Sequence, residues 1–443
     1  EVWAINNGSD FTISDAVLAN NPGITFSIAG SGTLSGGEDT AGGALMTSSI
    51  NVTSTAAGNL NLIGSSGADT FTFYATESLT ADDSIDGNAG EDIIYIVNDD
   101  DLNAVGDATS ATFGANTQGI EKIVITDAST DDDAGDVTIT INNGYLDTAL
   151  TVDGSQQDMN SITLTNEERL TLTSNDVNVA LTVLGGAGAD SITTNAGLDH
   201  ITAGGGADSI ATGDGADTIY GGDGVDAIRG EGGTDYIDAG AGNDVITVDD
   251  FSDFQTSGGV ETVKGGAGTD TLSFTEAVAL DVSAPELEHL YGIEVISLDR
   301  TSDTASKITL GNATFTNLGS STLTIVGNFH TGDDADNEID ASAVTNGSII
   351  VTGNPRTTVN DTIKGGSGDD IFRFSGTTNL EDGDILDGNG GSDTIQLDAS
   401  AGAVTVAIDF DDVTDMEVIN VYKGTSATDA GDVTITIEDN DAL

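Results

Sequence analysis

Gly185-Gly186-Ala187-Gly188-Ala189-Asp190-Ser191-Ile192-Thr193 opens a gapless run of seven nonapeptides that ends at Thr247. The six that follow read TNAGLDHIT, AGGGADSIA, TGDGADTIY, GGDGVDAIR, GEGGTDYID and AGAGNDVIT. Three columns never vary. Glycine holds the fourth place, from Gly188 to Gly242. Aspartate holds the sixth (Asp190, Asp199, Asp208, Asp217, Asp226, Asp235, Asp244), and isoleucine the eighth, from Ile192 to Ile246. Composition alone does not produce such columns.

Each column has a physical reason. Glycine tolerates positive φ and lets backbones approach closely, as a tight turn requires. Aspartate sets one carboxylate at each turn. The x-Ile-x tripeptide alternates polar and apolar, as a half-buried strand does. One nonapeptide is then a turn plus a short strand, and two make a coil of 18 residues. Coils stacked at parallel-strand spacing put isoleucine inside and bring the Asp of one coil near the turn carbonyls of the next. A hard cation taking about 6–8 oxygen ligands fits such a cage. The pattern predicts an all-β fold: a parallel β-roll or β-solenoid with calcium-binding turns, in several stacked repeat units.

The nine-residue pattern G-G-x-G-x-D-x-U-x resembles that of the RTX (repeats-in-toxin) family. The resemblance implies a calcium-loaded parallel β-roll and export by type I secretion. Thr194-Asn195 replaces the leading glycine pair in the second nonapeptide, which puts the grip of that turn on an ion in doubt.

Five isolated copies lie outside the block: GSSGADTFT at 64, GNAGEDIIY at 87, GGAGTDTLS at 265, GGSGDDIFR at 365 and GNGGSDTIQ at 388. They add Asp69, Asp92, Asp270, Asp370 and Asp393 to the expected calcium ligands. The pair at 64 and 87 recurs at 365 and 388, an offset of 301. Downstream, Gly119-Ile120-Glu121-Lys122-Ile123 resembles Asp415-Met416-Glu417-Val418-Ile419, with a third relative at Gly292-Ile293-Glu294-Val295-Ile296. The larger unit is two calcium turns, a loop, an I-E-x-I strand and further Thr/Val/Ile strands. Unit boundaries fall near 63, 184 and 364. They divide the chain into a partial unit 1–63, a unit 64–184, the nonapeptide block with its following unit 185–364, and a truncated unit 365–443. Residues 285–290 read as a short helical turn, and no long helix is evident.

Charge agrees with this reading. Asp plus Glu total 75 against 10 Lys plus Arg, a net charge of -65. An excess of that size opposes compaction unless a cation neutralises it. With no basic patch, nucleic acid is not an expected partner. There are no cysteines, so disulfides and thiolate metal sites are excluded. No apolar run reaches 18 residues, so no membrane-spanning segment is expected. The chain begins at Glu1-Val2-Trp3 and stops at Leu443 in mid-pattern, which reads as an excerpt of a longer protein.

No H-E-x-x-H, G-x-S-x-G or P-loop motif occurs, and an enzyme is not expected. The asparagine sequons are too short a signal to carry a claim. Neither outward strand face of the block carries the regular Thr array that ice binding needs. Asp131-Asp132-Asp133 and Asp333-Asp334-Ala335-Asp336 are secondary calcium candidates against the simpler reading of solvated loops. Calcium turns spread through a whole chain of β-coils resemble RTX-type bacterial surface-layer (S-layer) proteins. That likeness implies a secreted calcium-binding structural protein at the bacterial cell surface or in the matrix. Its expected partners are further copies in a lattice or filament, and a cell-surface polysaccharide. The alternatives are an RTX adhesin stalk or ligand-binding module, and the secretion domain of an RTX exoenzyme.

Overall fold

A computed structural model describes residues 2–6, 10–13, 25–29, 32–36, 51–54, 60–64, 67–74, 79–80, 82–98, 109–127, 136–142, 149–156, 169–175, 179–248, 261–275, 280–283, 286–298, 306–327, 337–353, 361–375, 377–380, 385–398, 404–409, 413–422 and 433–438. The chain is all-β, built as a parallel solenoid, and it separates into two compact units, Glu1–Gly233 and Thr234–Leu443.

In the first unit, one sheet runs in chain order from Val2–Asn6 to Thr218–Asp223, and a second from Thr109–Phe113 to Ala227–Arg229. A third joins Asp10–Ile13 through to Thr117–Gln118. Neighbouring strands pair in parallel. Within the nonapeptide block the register steps by one coil: Ile192 pairs with Ile210 and Ile210 with Ile228 on the second sheet. Val183, Ile201 and Ile219 do the same on the first. All of them are buried. Successive nonapeptides therefore alternate between two sheets, as half-coils must. Each enclosed aliphatic side chain contributes about 1.5–3 kcal/mol by leaving water. A stack of such rungs is how so acidic a chain acquires a continuous core.

The second unit repeats this plan with longer coils. Tyr236–Ala241, Thr262–Ala267 and Leu290–Tyr291 form one sheet, and a second runs from Val245–Val248 to Val418–Tyr422. A third runs from Leu280–Val282 to Val413–Thr414, and a fourth joins Thr377–Leu380, Val404–Asp409 and Val433–Glu438. One inward line in the second sheet reads Ile246, Leu272, Ile296, Ile325, Val351, Phe372 and Ile395, all buried.

The turn expected at 285–290 is a 3-10 helix, Glu286–His289. The sequence pattern gave no warning of a seven-residue α-helix, Asn312–Leu318. It buries Thr314, Phe315 and Leu318 and ends on Gly319, whose φ of 71° lies in the left-handed region that favours glycine. The acidic stretches at 131–133 and 333–336 lie outside the described residues.

Candidate metal centre

The sixth-place aspartates sit two residues before the inward aliphatic residue, so their side chains also point inward. All twelve Asp expected as ligands, from Asp69 to Asp393, are buried, none more than 3 % exposed. They stand in columns, tied together through the backbone. In the first unit the Asp190 N–H donates to Asp208 Oδ1 at 2.7 Å, and the Asp208 N–H to Asp226 Oδ1 at 2.8 Å. On the opposite edge the Asp199 N–H donates to Asp217 Oδ1 at 2.8 Å. The isolated copies make the same bond: Asp69 to Asp92 at 2.6 Å, Asp244 to Asp270 at 2.9 Å and Asp370 to Asp393 at 2.7 Å. One carboxylate oxygen of each accepting Asp is thus committed to the preceding coil.

The second oxygen is the informative one. Asp92, Asp190, Asp208, Asp270 and Asp393 each keep Oδ2 buried with no hydrogen-bond partner. Leaving such an atom unsatisfied is costly, more so when it carries charge. Burial pushes these carboxyls up, with neighbouring acids adding to the effect. Asp190 rises to about 8, Asp92 and Asp208 to about 7, and Asp270 and Asp393 to about 6. Asp370 differs: its Oδ2 accepts the Gly366 N–H at 2.7 Å while Oδ1 takes that of Ile349.

The leading glycine of the motif explains the geometry. A Cβ on Gly185 would lie less than 3 Å from both Asp190 Oδ2 and the Ala203 carbonyl oxygen, one coil on. A Cβ on Gly64 would meet Asp69 Oδ2 and the Gly87 carbonyl in the same way, and one on Gly365 would meet Asp370 Oδ2 and the Gly388 carbonyl. The bare glycine leaves a carboxylate oxygen and a carbonyl oxygen converging on one gap. The fourth-place glycines serve the stacking itself. Gly206 and Gly233, with φ of 111° and 138°, would press a Cβ into the carbonyl of Gly188 and Gly215 below.

Among the described residues no three His, Cys, Asp or Glu side chains converge on one point. Backbone carbonyls must therefore supply much of any coordination shell, which selects for a hard, oxygen-seeking ion. Buried, partnerless carboxylate oxygens facing carbonyls are the donors such an ion lacks elsewhere in the fold, so the residues present fit calcium.

The RTX calcium-binding nonapeptide repeat family matches residues 79–102, 184–219, 211–246, 220–254, 255–273, 359–376 and 380–401. The chain carries several copies of the RTX calcium-binding repeat. Calcium is the ion such repeats bind, and the family is a calcium-binding repeat rather than a catalytic one. No curated protein and no solved structure matches the chain. Eleven of the twelve aspartates fall in the RTX-matched segments, and Asp69 lies outside them.

Motif reading missed further members of the columns. Two residues before the inward aliphatic, the first unit's first sheet reads Asp69, Asp92, Glu121, Leu150, Leu181, Asp199, Asp217. The second unit's second sheet reads Asp244, Asp270, Glu294, Leu323, Ile349, Asp370, Asp393, Glu417. The order is the same: two Asp, a Glu, two aliphatics, two Asp again. Asp83, Asn337 and Asp361 occupy equivalent places elsewhere, each accepting an N–H from the coil before. The signal was present as an acid or amide two residues before a β-branched or leucine residue.

Proposed function

We propose that this chain is a secreted, calcium-dependent structural protein of the bacterial cell surface, a subunit of an S-layer or extracellular matrix, and not an enzyme. The observation behind this reading is the distribution of the carboxylate columns. Asp pairs recur through both units, at 69/92, 244/270 and 370/393 as well as in the central block, where a secretion tail would carry one terminal run. Calcium held by the twelve aspartates would rigidify the chain along its length, as a load-bearing lattice element requires. The repeat units 64–184 and 185–364 each contain one I-E-x-I segment and 365–443 contains Met416-Glu417-Val418-Ile419 in its place, consistent with duplication of a single module. No helix of the described residues is long and apolar enough to cross a membrane.

Electron microscopy of native material at millimolar calcium tests this. A periodic array or filament that disperses on chelation supports it, and separate monomers at every calcium level overturn it. An adhesin module is the second reading. It is favoured by the His200–Tyr220 ring pair, with centroids 5.7 Å apart, and by the exposed apolar side chains of Leu198 and Val225 in the same block. Monomers that bind surface glycans would decide for it.

A further inference from the structure

The carboxylate columns end in the same way three times. The Asp92 N–H donates to Glu121 Oε2 at 2.7 Å, that of Asp270 to Glu294 Oε2 at 2.9 Å, and that of Asp393 to Glu417 Oε2 at 2.7 Å. This is the bond that Asp69, Asp190, Asp199, Asp208, Asp244 and Asp370 make to the next Asp, now made to a side chain one methylene longer. Two residues before each Glu the backbone turns left-handed, at Gly119, Gly292 and Asp415, with φ of 64°, 59° and 52°. The carbonyl oxygens of those residues point where the next nonapeptide's first carbonyl would. A Cβ on Gly87, Gly265 or Gly388 would lie less than 3 Å from that carbonyl and from Asp92, Asp270 or Asp393 Oδ2 respectively. A nonapeptide spaces its first residue and its Asp five apart; here carbonyl donor and carboxylate are two apart. The longer Glu side chain spans the shortened turn.

A hydrogen-bond cap alone would not need a charge. An amide or hydroxyl accepts an N–H equally well, as Asn337 does from Ser306. A second carboxylate beside a fully buried Asp is unfavourable without a cation between or near them. Lys122, adjacent in sequence to Glu121, is engaged by Asp153 at 2.6 Å. All three Asp Oδ2 atoms are buried without a partner. None of the three Glu falls in the segments that the RTX family matches.

We propose that Glu121, Glu294 and Glu417, each with the carbonyl two residues before it, are contracted half-sites that complete a calcium site with Asp92, Asp270 and Asp393. The proposal rests on the reading that the nonapeptide aspartates hold calcium. It explains how an isolated nonapeptide pair, with no third copy to follow, closes its last cage.

Native mass spectrometry of the full chain at saturating calcium counts the ions. The Glu121→Gln/Glu294→Gln/Glu417→Gln triple variant keeps an oxygen for each Asp N–H and removes only charge. It should fold by circular dichroism and carry three fewer ions than the wild type. Asp208→Asn is the control for the underlying reading and should also lower the count. If the triple variant keeps every ion while Asp208→Asn loses one, the glutamates are structural caps and the proposal falls. If Asp208→Asn loses none, the calcium reading of the aspartates fails first. Should the triple variant not fold in calcium, Glu294→Gln alone decides, by the loss or retention of a single ion.

Discussion

The two edges of the nonapeptide block are built from one motif and support their turns differently. On the edge of Asp190 and Asp208 the leading residues are Gly185 and Ala203, which offer the carboxylates nothing. Their Oδ2 atoms have no partner, and burial drives them to about 8 and about 7. On the edge of Asp199 and Asp217 the leading residues are Thr194 and Thr212. The Thr194 hydroxyl donates to the Thr212 carbonyl at 2.8 Å, and that of Thr212 to the Gly230 carbonyl at 3.1 Å. Burial raises Asp217 to about 6, with the Asp199 N–H first and the Thr212 side chain second holding it down. The threonines tie successive turns of the second edge to one another, yet Asp199 Oδ2 is as buried and partnerless as Asp190 Oδ2, so both edges leave carboxylate oxygens for a cation. The Thr194-Asn195 departure from the motif, which reads from sequence as a weakened ion site, places the first hydroxyl of that ladder.

The largest expected effect is loss of calcium. At pH 8 with chelator, the far-UV β signal should largely disappear and return on adding calcium, because uncompensated buried carboxylates then oppose the fold. Acid should partly replace the ion. Folded values above the ordinary carboxylate range mean that the folded, calcium-free chain holds protons that the unfolded chain has released. Stability from this source is complete below the ordinary value of 3.8 and is lost as pH rises through about 6 to 8, with the Asp190 edge losing it last. Chelated protein moved from pH 8 to pH 5 should regain β signal; with calcium present, acid should instead weaken ion binding. A chelated chain equally folded at both pH values would break the comparison.

Next in size is the core, which the edges share. Ile210→Ala follows the Asp208 turn and Ile219→Ala follows the Asp217 turn, and each should cost about 2–5 kcal/mol in calcium. Similar thermal shifts for the two would locate the asymmetry in the turns. A much larger shift for one would place it in the packing.

Charge removal sharpens the contrast directly. In chelator, Asp208→Asn should stabilise the chain by about 1–3 kcal/mol, and Asp217→Asn by less. In saturating calcium both should destabilise, Asp208→Asn more. Denaturant midpoints measured in both conditions give the sign reversal; equal effects at the two positions would count against two kinds of edge.

The smallest effect belongs to the hydroxyl ladder. Thr212→Val keeps shape but leaves the Gly230 carbonyl without that donor, at about 1 kcal/mol. It should also raise the Asp217 carboxyl toward the values of the other edge, which carbon-13 NMR titration of that side chain would register.

Period, sheet count per coil, inward Ile and the aspartate columns were all legible in the 185–247 block, because a strict nine-residue period leaves one way to stack. Outside it, legibility fell with regularity. The Asp92–Glu121 step covers 29 residues and Asp370–Asp393 covers 23, so spacing no longer reveals which residues share a rung. The short helix Asn312–Leu318 escaped for a related reason. Its Thr and Asn residues favour helix weakly, and burial of Phe315 and Leu318 decides it.

Sequence by itself determined that this is a parallel, calcium-type β-roll, since turn chemistry and side-chain alternation are local properties repeated in phase. Tertiary structure alone decided how each carboxylate is used. Whether an Asp oxygen meets an N–H, a threonine-supported turn or an open gap depends on the residue one coil away. That neighbour is set by loop length rather than by the motif. Glu121, Glu294 and Glu417 show this most plainly: in the chain they are three acids among 75, and in the fold they stand in line with the aspartate columns.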